Sequence, residues 1–458
     1  MREELERIFG GVVADVAAHA GDMTENEPRT PAFVVEATRA EQVRELLVLA
    51  NDRGVPVTPK VTGLNIGGLA IPAEGGIVLD LRRMDAVEID PHNMVAWIEP
   101  GVSWQKLKEE AARAGLALGF PLAPPESSVL ACALMDGLST MALAHGSYND
   151  WVHGVEAYLA DGTKVVTGAA ALSGRPLSRG PLPDLTGMFL NWYGGTGVVV
   201  RLALALWPQR SFRRREVIAC RDVESGIGLM RAGARTGLFD DLGGLGWPAA
   251  KWAFGLDRLD ARDPAEPELY VVADYGADTK GELRVKSKRL RELAPAPPIP
   301  VEQLIALAPD LAPFAELPAR LGFLMDHEGQ GLTWVGTFGP MERLEEGARA
   351  GMRIVEAAGR PPLVVVRPMK GGHYAVLRFI FRFDRRSDEE TALVRALVLE
   401  LGRALLDLGY VPYKCPETLY EEVARRLDPG FRDLMERLKG TVDPKGILNP
   451  DRWRLPKR

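Results

Sequence analysis

A glycine-rich turn that follows an apolar strand pattern is the clearest candidate for chemistry in this sequence. The segment VPVTPKV (55–61) alternates like a strand and runs into TGLNIGG (62–68). Glycine tolerates backbone angles that point successive N–H groups into one concavity, and we expect Gly67 to let the backbone approach a ligand closely. Such a nest of amides suits a diphosphate. A simple tight turn has the same composition, so the segment alone leaves both interpretations open.

Signatures of other phosphate or metal sites do not occur in the sequence. No GxGxxG motif opens a helix and there is no GxxxxGK[ST] motif, so neither a Rossmann dinucleotide site nor a P-loop is predicted. The three cysteines, Cys132, Cys220 and Cys415, stand far apart without CxxC or Cys/His spacing. The sequence therefore predicts no metal site, and so few cysteines favour a reducing compartment.

Length and charge narrow the class of protein. A chain of 458 residues exceeds what one hydrophobic core organises, so two or more domains are expected. A net charge of -6 argues against nucleic acid as the main partner. The N-terminus MREELERIFGGVVADV has no signal-peptide core, and no apolar run reaches the ~20 residues that span a bilayer. We therefore expect a cytoplasmic protein with no integral membrane segment.

Alternating strand and helix patterns must position these residues. Residues 1–26 resemble a surface helix and a polar linker. Periodicity and caps predict strands at 31–37, 55–61, 75–81, 96–102, 332–338 and 363–369, and helices at 39–54, 103–117 (with Ser103 as N-cap), 341–358 and 388–408. Composition changes near residue 211, which separates a first section (residues 1–210) from a second. The tail from 409 returns to motifs that belong with the first section.

The order of motifs resembles the superfamily of vanillyl-alcohol oxidase and p-cresol methylhydroxylase. Segment 31–90 is similar to that family's opening of strand, helix, strand, phosphate loop and strand, and AWIEPGVSWQKLKEEAARAGLAL to its next stretch. ESSVLACALMDGLSTMALAHGSYNDWVHGVEAYLADGTKVVTG, DLTGMFLNWYGGTGVVVRLALALWP and LKGTVDPKGILNPDRW continue the pattern. The resemblance implies an α+β, two-domain flavoprotein: an FAD-binding domain (1–210), an α+β cap or substrate domain (211–408) and a C-terminal segment (409–458) that returns to the first domain.

The resemblance also assigns residues to the FAD site. The pyrophosphate loop would comprise Pro59, Lys60, Val61, Thr62, Gly63, Leu64, Asn65, Ile66, Gly67 and Gly68. Glu126, Ser127, Ser128 and Val129 would line the second phosphate and the ribose, Gly137, His145 and Gly146 would lie along the flavin, and Val155, Glu156 and Gly197 near the adenine or the floor of the site. Val61 departs from the glycine that hydroxy-acid relatives often carry, but the loop glycines remain.

Covalent attachment of the flavin would need a nucleophile at its methyl edge. LTWVGTFGP (332–340) resembles the cap strand that carries the linking His in vanillyl-alcohol oxidase, and it offers Trp334, Val335 and Gly336 instead. The phosphate loop contains neither His nor Cys. We therefore expect non-covalent FAD, unless a different register brings His327 or Tyr413 to the flavin.

The candidate catalytic residues lie in the tail and in a cap strand. GYVPYKCPETLY (409–420) resembles the family stretch whose Tyr–Arg pair binds the substrate and the pyrimidine end of the flavin, which places Tyr413 and Lys414 there. Lysine keeps the positive charge but not the bidentate geometry. In MKGGHYAVLRFIFRF (369–383), alternation places His373 with Ala375 and Leu377, and Arg378 on the opposite face.

Two departures from the family bear on the substrate. GFPLAPPESS (119–128) lacks the Asp that serves phenol-oxidising relatives as base and offers only Glu126, and the HxGHxGDGNxH metal signature of hydroxy-acid relatives is missing. The first hypothesis is removal of a hydride from an alcohol or benzylic-type carbon. The alternatives are a 2-hydroxy-acid (lactate- or glycolate-like) dehydrogenase without the usual metal and a flavin-bearing subunit of an electron-transfer complex. Expected partners are a small-molecule substrate, an electron-transfer flavoprotein, cytochrome or iron–sulfur subunit as acceptor, and a second copy of the chain.

Overall fold

The computed structural model describes residues 1–64, 67–253, 262–307, 317–318 and 327–454, and the strands in these ranges form four sheets. The first elements are α1 (Arg2–Phe9), β1 (Phe33–Glu36), α2 (Ala40–Arg53), β2 (Val57–Lys60), β3 (Ile77–Asp80), β4 (Val87–Asp90), β5 (Val95–Ile98), α3 (Trp104–Arg113) and β6 (Leu116–Ala117). They are followed by α4 (Val129–Leu134), α5 (Ala142–His145), α6 (Tyr148–Trp151), β7 (Val152–Tyr158), β8 (Lys164–Val166), α7 (Ala170–Ser173), β9 (Val198–Ala205) and β10 (Trp207–Pro208).

The remaining elements run from residue 212 to residue 442. They are β11 (Phe212–Cys220), α8 (Val223–Ala234), β12 (Asp241–Gly246), α9 (Trp247–Ala253), β13 (Leu269–Ala277), α10 (Lys280–Leu293), β14 (Ile299–Pro300), α11 (Val301–Leu307) and β15 (Gly331–Gly339). The last are α12 (Leu344–Ala357), β16 (Leu363–Met369), β17 (Tyr374–Phe383), α13 (Asp388–Asp407), β18 (Val411–Pro412), α14 (Tyr420–Arg426) and α15 (Pro429–Val442). The mixed helix and strand architecture predicted from the sequence is thereby confirmed.

A small parallel sheet carries the glycine-rich turn. Its strand order is β1-β3-β2, and the apolar face of α2 packs on it. As predicted, α2 ends at Gly54, whose left-handed backbone (φ 63) terminates the helix. The turn begins where β2 ends, at the carboxyl edge of the sheet. Ligands of open parallel sheets bind at this edge, so the fold places the amides of the turn where a ligand can reach them.

A five-stranded antiparallel sheet, β4-β5-β9-β7-β8, follows in the first section. The side chain of Ser103 accepts a hydrogen bond from the backbone N–H of Lys106, which confirms the predicted N-cap of α3. The prediction that this helix extends to residue 117 was wrong. It ends at Arg113 because Gly115 adopts φ +70, and the chain then enters β6.

After residue 210 the chain forms an eight-stranded sheet with the order β14-β11-β13-β12-β16-β17-β15-β18, which we call the second layer, and the sheets before residue 210 form the first. Alternation along β17 gives it two different faces. Ala375, Leu377 and Phe379 pack into the main hydrophobic cluster with residues of α12 and α13, whereas Val376 packs with Tyr413 on the other face. That second face is turned toward the first section and is where the cavity described below lies.

The tail contacts both layers. Its strand β18 extends the eight-stranded sheet by pairing with β15. Further on, the backbone N–H of Val57 donates to the Ile447 carbonyl at 2.8 Å and Asn449 N–H donates to the Val57 carbonyl at 2.8 Å, so the tail lines up beside β2. Every helix in the described ranges is too short or too polar to cross a membrane.

The segment before β1 differs from the expected polar linker. Thr24 and Glu25 have no exposed surface. The Thr418 hydroxyl donates to the Glu25 carboxylate at 3.1 Å, and Leu332 N–H donates to the Met23 carbonyl at 2.8 Å. Polar composition predicted a polar linker, but Glu25 and the Met23 carbonyl bond to the tail and to β15, and the Thr24 hydroxyl bonds to Asp22, which allows burial of this segment.

Candidate functional site

A cavity lies between the glycine-rich turn and the second face of the eight-stranded sheet. It has a volume of about 180 Å³. The first section contributes lining residues from 59–64, 121–138 and 189–199, and the second layer and the tail contribute Trp334, Val365, Arg367, Arg378 and Lys414. The cavity therefore joins the predicted phosphate loop to the predicted cap strand and tail.

The phosphate-loop end combines backbone flexibility with a positive charge. Pro59, Lys60, Val61, Thr62, Gly63 and Leu64 line the cavity. Gly63 has φ +70, and a Cβ there would lie 2.8 Å from the Lys60 side chain, which therefore lies across it. Burial lowers the pKa of the Lys60 ammonium, and an anion bound beside it would raise that pKa again. These features fit a diphosphate.

The loop's remaining residues have other surroundings. Asn65 and Ile66 lie outside the described residues. Gly67 has φ +75, and a Cβ there would lie 2.9 Å from the Cα of Pro416, while Glu417 N–H donates to the Gly67 carbonyl at 3.0 Å. The close approach predicted for Gly67 is thus made by the backbone of the tail. Gly68 instead faces the Asn26 side chain.

Residues 126–129 divide between cavity, surface and core. Ser127 and Ser128 line the cavity, and Ser128 also caps α4 by accepting from Ala131 N–H at 3.1 Å. Glu126 is exposed, whereas Val129 is fully buried in the core of the first section. A helix N-terminus at this wall adds partial positive charge from its free amides.

Gly197 lines the cavity, but several other assigned residues do not. His145 packs its ring against Trp207, with centroids 4.5 Å apart. Val155 donates its N–H to the Thr167 hydroxyl at 3.0 Å, and Glu156 pairs with Lys164 at 2.7 Å. Two glycines make room for neighbours: Gly137 for the Cys132 sulfur and Gly146 for the Asp150 carboxylate.

The sheet face that forms the cavity wall is shaped by two glycines. Gly336 stands opposite Arg378 in the β15–β17 ladder, and a Cβ at this position would lie 2.7 Å from the Tyr413 ring. Gly243 on β12 is similarly covered, since its Cβ would lie 3.1 Å from the Arg367 guanidinium. The missing side chains let a phenol ring and a guanidinium lie flat across the strands.

Arg378 lines this wall and is bonded to Tyr413, which is not itself among the lining residues. The Nε of Arg378 donates to the Tyr413 hydroxyl at 2.8 Å, and a second guanidinium nitrogen also donates to it. The Tyr413 ring stacks on Phe338 with centroids 4.7 Å apart, and the Arg378 guanidinium lies 5.3 Å from the centre of the Trp334 ring. Burial raises the pKa of the Tyr413 phenol and Arg378 opposes that shift, so the phenol stays protonated at neutral pH.

Lys414 lines the cavity beside this pair. Its backbone is left-handed (φ 48), an unusual conformation for a residue with a long side chain. Burial lowers the pKa of the Lys414 ammonium and Arg378 lowers it further, while Cys132 and Asp136 act in the opposite direction. Burial also raises the pKa of Asp136 to about 6, and one of its oxygens has no hydrogen-bond partner among the described residues.

Arg367 is a cavity residue that the motif comparison missed. The residue is 7% exposed, and its side chain forms an ion pair with Asp241 at 3.1 Å and donates to the Ser139 carbonyl. Burial raises the pKa of Asp241 to about 6. A single arginine inside the apolar run LVVVRPM was the available signal, because an apolar strand buries arginine only with partners.

His373 lies apart from these residues. It is exposed and follows a single 3-10 turn, Lys370–Gly372, just before β17 begins at Tyr374. The predicted alternation therefore starts one residue later than expected, and His373 is not among the cavity-lining residues. Groups of three or more His, Cys, Asp or Glu side chains with metal-site geometry do not occur in the described ranges.

Nucleophiles at the cavity wall bear on flavin attachment. Trp334 of the cap strand lines the cavity, and the His327 ring bonds to the Gly331 carbonyl at 3.0 Å. Cys132 also lines the cavity and was not anticipated. Burial raises the pKa of the Cys132 thiol, which disfavours the nucleophilic thiolate.

Comparison with known proteins defines the class. Residues 31–168 match the FAD binding domain family. The chain is 31% identical to an uncharacterized FAD-linked oxidoreductase of Mycobacterium tuberculosis over 44% of this chain and 43% of that protein. It is 24% identical to the flavoprotein subunit of 4-cresol dehydrogenase (hydroxylating) of Pseudomonas putida over 93% of this chain and 88% of that protein. The crystal structure of p-cresol methylhydroxylase with substrate bound superposes with a TM-score of 0.86 at 20% identity and covers 98% of this chain and 95% of that one.

The fold, the cavity and the match to the FAD binding domain family together show that the protein is a flavoprotein. The chain spans less than half the length of the M. tuberculosis relative that it matches. It nevertheless shares the whole architecture of the p-cresol methylhydroxylase structure. Residues 31–168 belong to the FAD binding domain family, the chain has the fold of the p-cresol methylhydroxylase structure, and its cofactor is FAD.

Proposed function

We propose that this chain removes a hydride from an alcohol or benzylic-type carbon and passes the electrons to an external acceptor. The observation that carries the proposal is the cavity that joins the phosphate loop at Lys60 to the positively charged Arg378 and Lys414, with the Tyr413 hydroxyl bonded to Arg378. When bound, FAD supplies the hydride acceptor. Its diphosphate would lie at the loop, and the substrate would lie between the flavin and the sheet face.

The proposed roles follow from the chemistry of each side chain. Lys414 would hold a positive charge beside the bound cofactor, where it would stabilise the negative charge that hydride transfer supplies, in a site shielded from water. Arg378 donates to the Tyr413 oxygen, so the phenol can share its own proton with a substrate oxygen. Trp334 and Val365 contribute apolar surface that excludes water around the reacting carbon. His373 is left out of this set because it is exposed.

We also propose the domain division predicted from the sequence, with an FAD-binding domain at 1–210, a cap at 211–408 and a returning tail from 409. Separate sheets on either side of residue 210 support it. The contacts of the tail with β2 support its return to the first domain, although residues 411–412 also extend the cap sheet. Non-covalent FAD completes the proposal and is supported by the cap strand, which offers Trp334, Val335 and Gly336 and no nucleophile where the resembling strand carries a linking histidine.

Anaerobic mixing with candidate substrates tests the function. A substrate should abolish the visible absorbance band of the oxidised flavin without oxygen, and reoxidation by added acceptors should then identify the acceptor class. A protein that no alcohol, benzylic compound or hydroxy acid reduces, but that co-purifies with an electron-transfer flavoprotein, cytochrome or iron–sulfur protein, would instead be a flavin-bearing subunit.

A 2-hydroxy-acid dehydrogenase without the usual metal is the second candidate. The observation that favours it is the presence of two arginines, Arg367 and Arg378, at the cavity wall. Guanidinium groups bind carboxylates in preference to neutral hydroxyls. Comparing reduction by a benzylic alcohol and by a 2-hydroxy acid of similar size distinguishes the two candidates.

A further inference from the structure

Two arginines lie close together on one face of the sheet. Val365 stands directly opposite Arg378 in the β16–β17 ladder, and Arg367 is two residues further along β16. Residues two apart on a strand share a face, so Arg367 and Arg378 are diagonal neighbours, with Cα atoms about 7–8 Å apart. Both line the cavity. Two positive charges at this spacing repel each other, and the repulsion is stronger in a partly dry cavity than in water.

The protein offers these two guanidiniums few negative partners. Arg367 is paired with Asp241, whereas Arg378 donates to a neutral phenol, Tyr413. The Nε of Arg367 is buried and has no hydrogen-bond partner among the described residues.

The cavity wall as a whole is positively charged. Its lining in the described ranges includes Lys60, Arg367, Arg378 and Lys414 and contains no Asp or Glu. A bound FAD would place its diphosphate beside Lys60 and the pyrimidine end of its flavin beside Lys414. Because Asp241 offsets Arg367, about one positive charge is left without a counter-charge at the sheet face. That balance favours a ligand with one negative charge.

We propose that the substrate carries a carboxylate that binds between Arg367 and Arg378, and this inference rests on the proposed function. The two oxygens of a carboxylate match two guanidinium forks, whereas a phenolate has one. A carboxylate with an ordinary pKa near 4 is ionised at neutral pH, whereas a phenol with a pKa near 10 must first lose its proton. The substrate class is therefore a carboxylic acid with an oxidisable alcohol or benzylic carbon.

Asp241 acts in this scheme as a positioning residue. Its position on β12 shares the face of Arg367, because Leu245 stands opposite Val365 and alternation returns to that face at residues 243 and 241. Gly243 between them leaves room for the guanidinium, as described above. The ion pair and the glycine fix the direction of Arg367 before a ligand arrives, so that less side-chain freedom is lost on binding.

Equilibrium binding to the FAD-loaded protein tests the inference without turnover. Benzoate and benzamide have the same ring and nearly the same shape, and only benzoate is charged. Perturbation of the flavin absorbance spectrum on titration reports the affinity of each. We expect benzoate to bind at least about 10-fold more tightly than benzamide, the scale expected when a buried charge finds charged donors.

Three variants locate the carboxylate. Arg367→Met and Arg378→Met should each weaken benzoate by about 10- to 100-fold and leave benzamide nearly unchanged. Arg353→Met, at an exposed position of α12, is the matched control and should change neither affinity. Because Arg367 also bonds to Asp241 and Ser139, Arg378→Met remains informative if Arg367→Met does not fold.

The results separate this inference from the proposed function. Equal affinities for benzoate and benzamide, or full benzoate affinity in both arginine variants, would overturn the carboxylate site. If a neutral alcohol still reduces the flavin in that case, the proposed function stands. Conversely, arginine-dependent benzoate binding in a protein that no substrate reduces would keep the anion site and refute the function.

Discussion

Removing the charge of Lys414 is the most direct test of the proposed chemistry. Lys414 lies in the cavity wall next to Arg378, in a site where burial lowers its pKa. A unit charge about 4 Å from a developing anion contributes about 4 kcal/mol at an effective dielectric constant near 20. Arg378 stays in place in the variant and supplies part of that field, so we take the lower figure for losing one preorganised donor, about 2.7 kcal/mol or ~100-fold in rate.

Anaerobic stopped-flow reduction of the FAD-loaded protein measures the effect. Lys414→Ala should slow flavin reduction by ~100-fold. The same destabilisation of reduced flavin should lower its two-electron potential by about 60 mV, since about 30 mV corresponds to 1.4 kcal/mol. FAD should stay bound, because the phosphate loop is unchanged. Lys414→Arg keeps the charge and is the control, with a rate closer to that of the unaltered protein.

Two results would contradict this reasoning. Unchanged reduction kinetics and potential in Lys414→Ala would show that the tail is only a seam between the two layers. A slow rate with an unchanged potential would show that Lys414 orients the substrate and does not stabilise reduced flavin. The potential therefore separates an electrostatic role from a purely structural one.

Four further predictions follow from the same geometry. Acid precipitation should release all FAD into the supernatant, and flavin retained in the pellet would indicate a covalent bond, with Cys132 as the first candidate. Gly67→Val should reduce FAD loading and the melting temperature, because its Cβ would press on Pro416, whereas Gly75→Val has similar backbone strain (φ +66) with no atom within 4 Å and should be milder. Tyr413→Phe should slow flavin reduction as much as Lys414→Ala does if the phenol exchanges a proton, and less if it only orients the substrate; stopped-flow reduction distinguishes the two roles. Benzoate should bind more tightly as pH falls through about 6, because protonation of Asp241 removes the negative charge beside Arg367 while its carbonyl oxygen still accepts a hydrogen bond that holds the guanidinium in place. Asp274, Arg215 and Arg213 are other charged groups near Asp241, and Asp241→Asn should abolish this part of the pH dependence in the same spectral titration.

Local sequence patterns predicted much of the secondary structure. Helix α2 and its terminating Gly54, the N-cap Ser103 and the alternation along β17 are each set by neighbours in the sequence. Errors occurred where a non-local contact or a single backbone angle decides. Gly115 ends α3 early through its positive φ, and the polar segment around Glu25 is buried because a distant threonine, Thr418, bonds to it.

The candidate site likewise has one part that local sequence patterns predict and another that non-local contacts decide. The glycine-rich turn and the order of the flavin motifs follow from residue type and spacing, so the sequence by itself determined the class of cofactor and the region that holds it. Which side chains meet at the sheet face of the cavity, where the substrate would react, depends on which strands pair. Arg367 and Arg378 are neighbours because β16 pairs with β17, and Tyr413 reaches Arg378 because β18 pairs with β15. Asp241 reaches Arg367 because β12 pairs with β16. Only the tertiary structure decided these contacts, because strand pairing joins residues far apart in the chain and no periodicity within one segment records its partner.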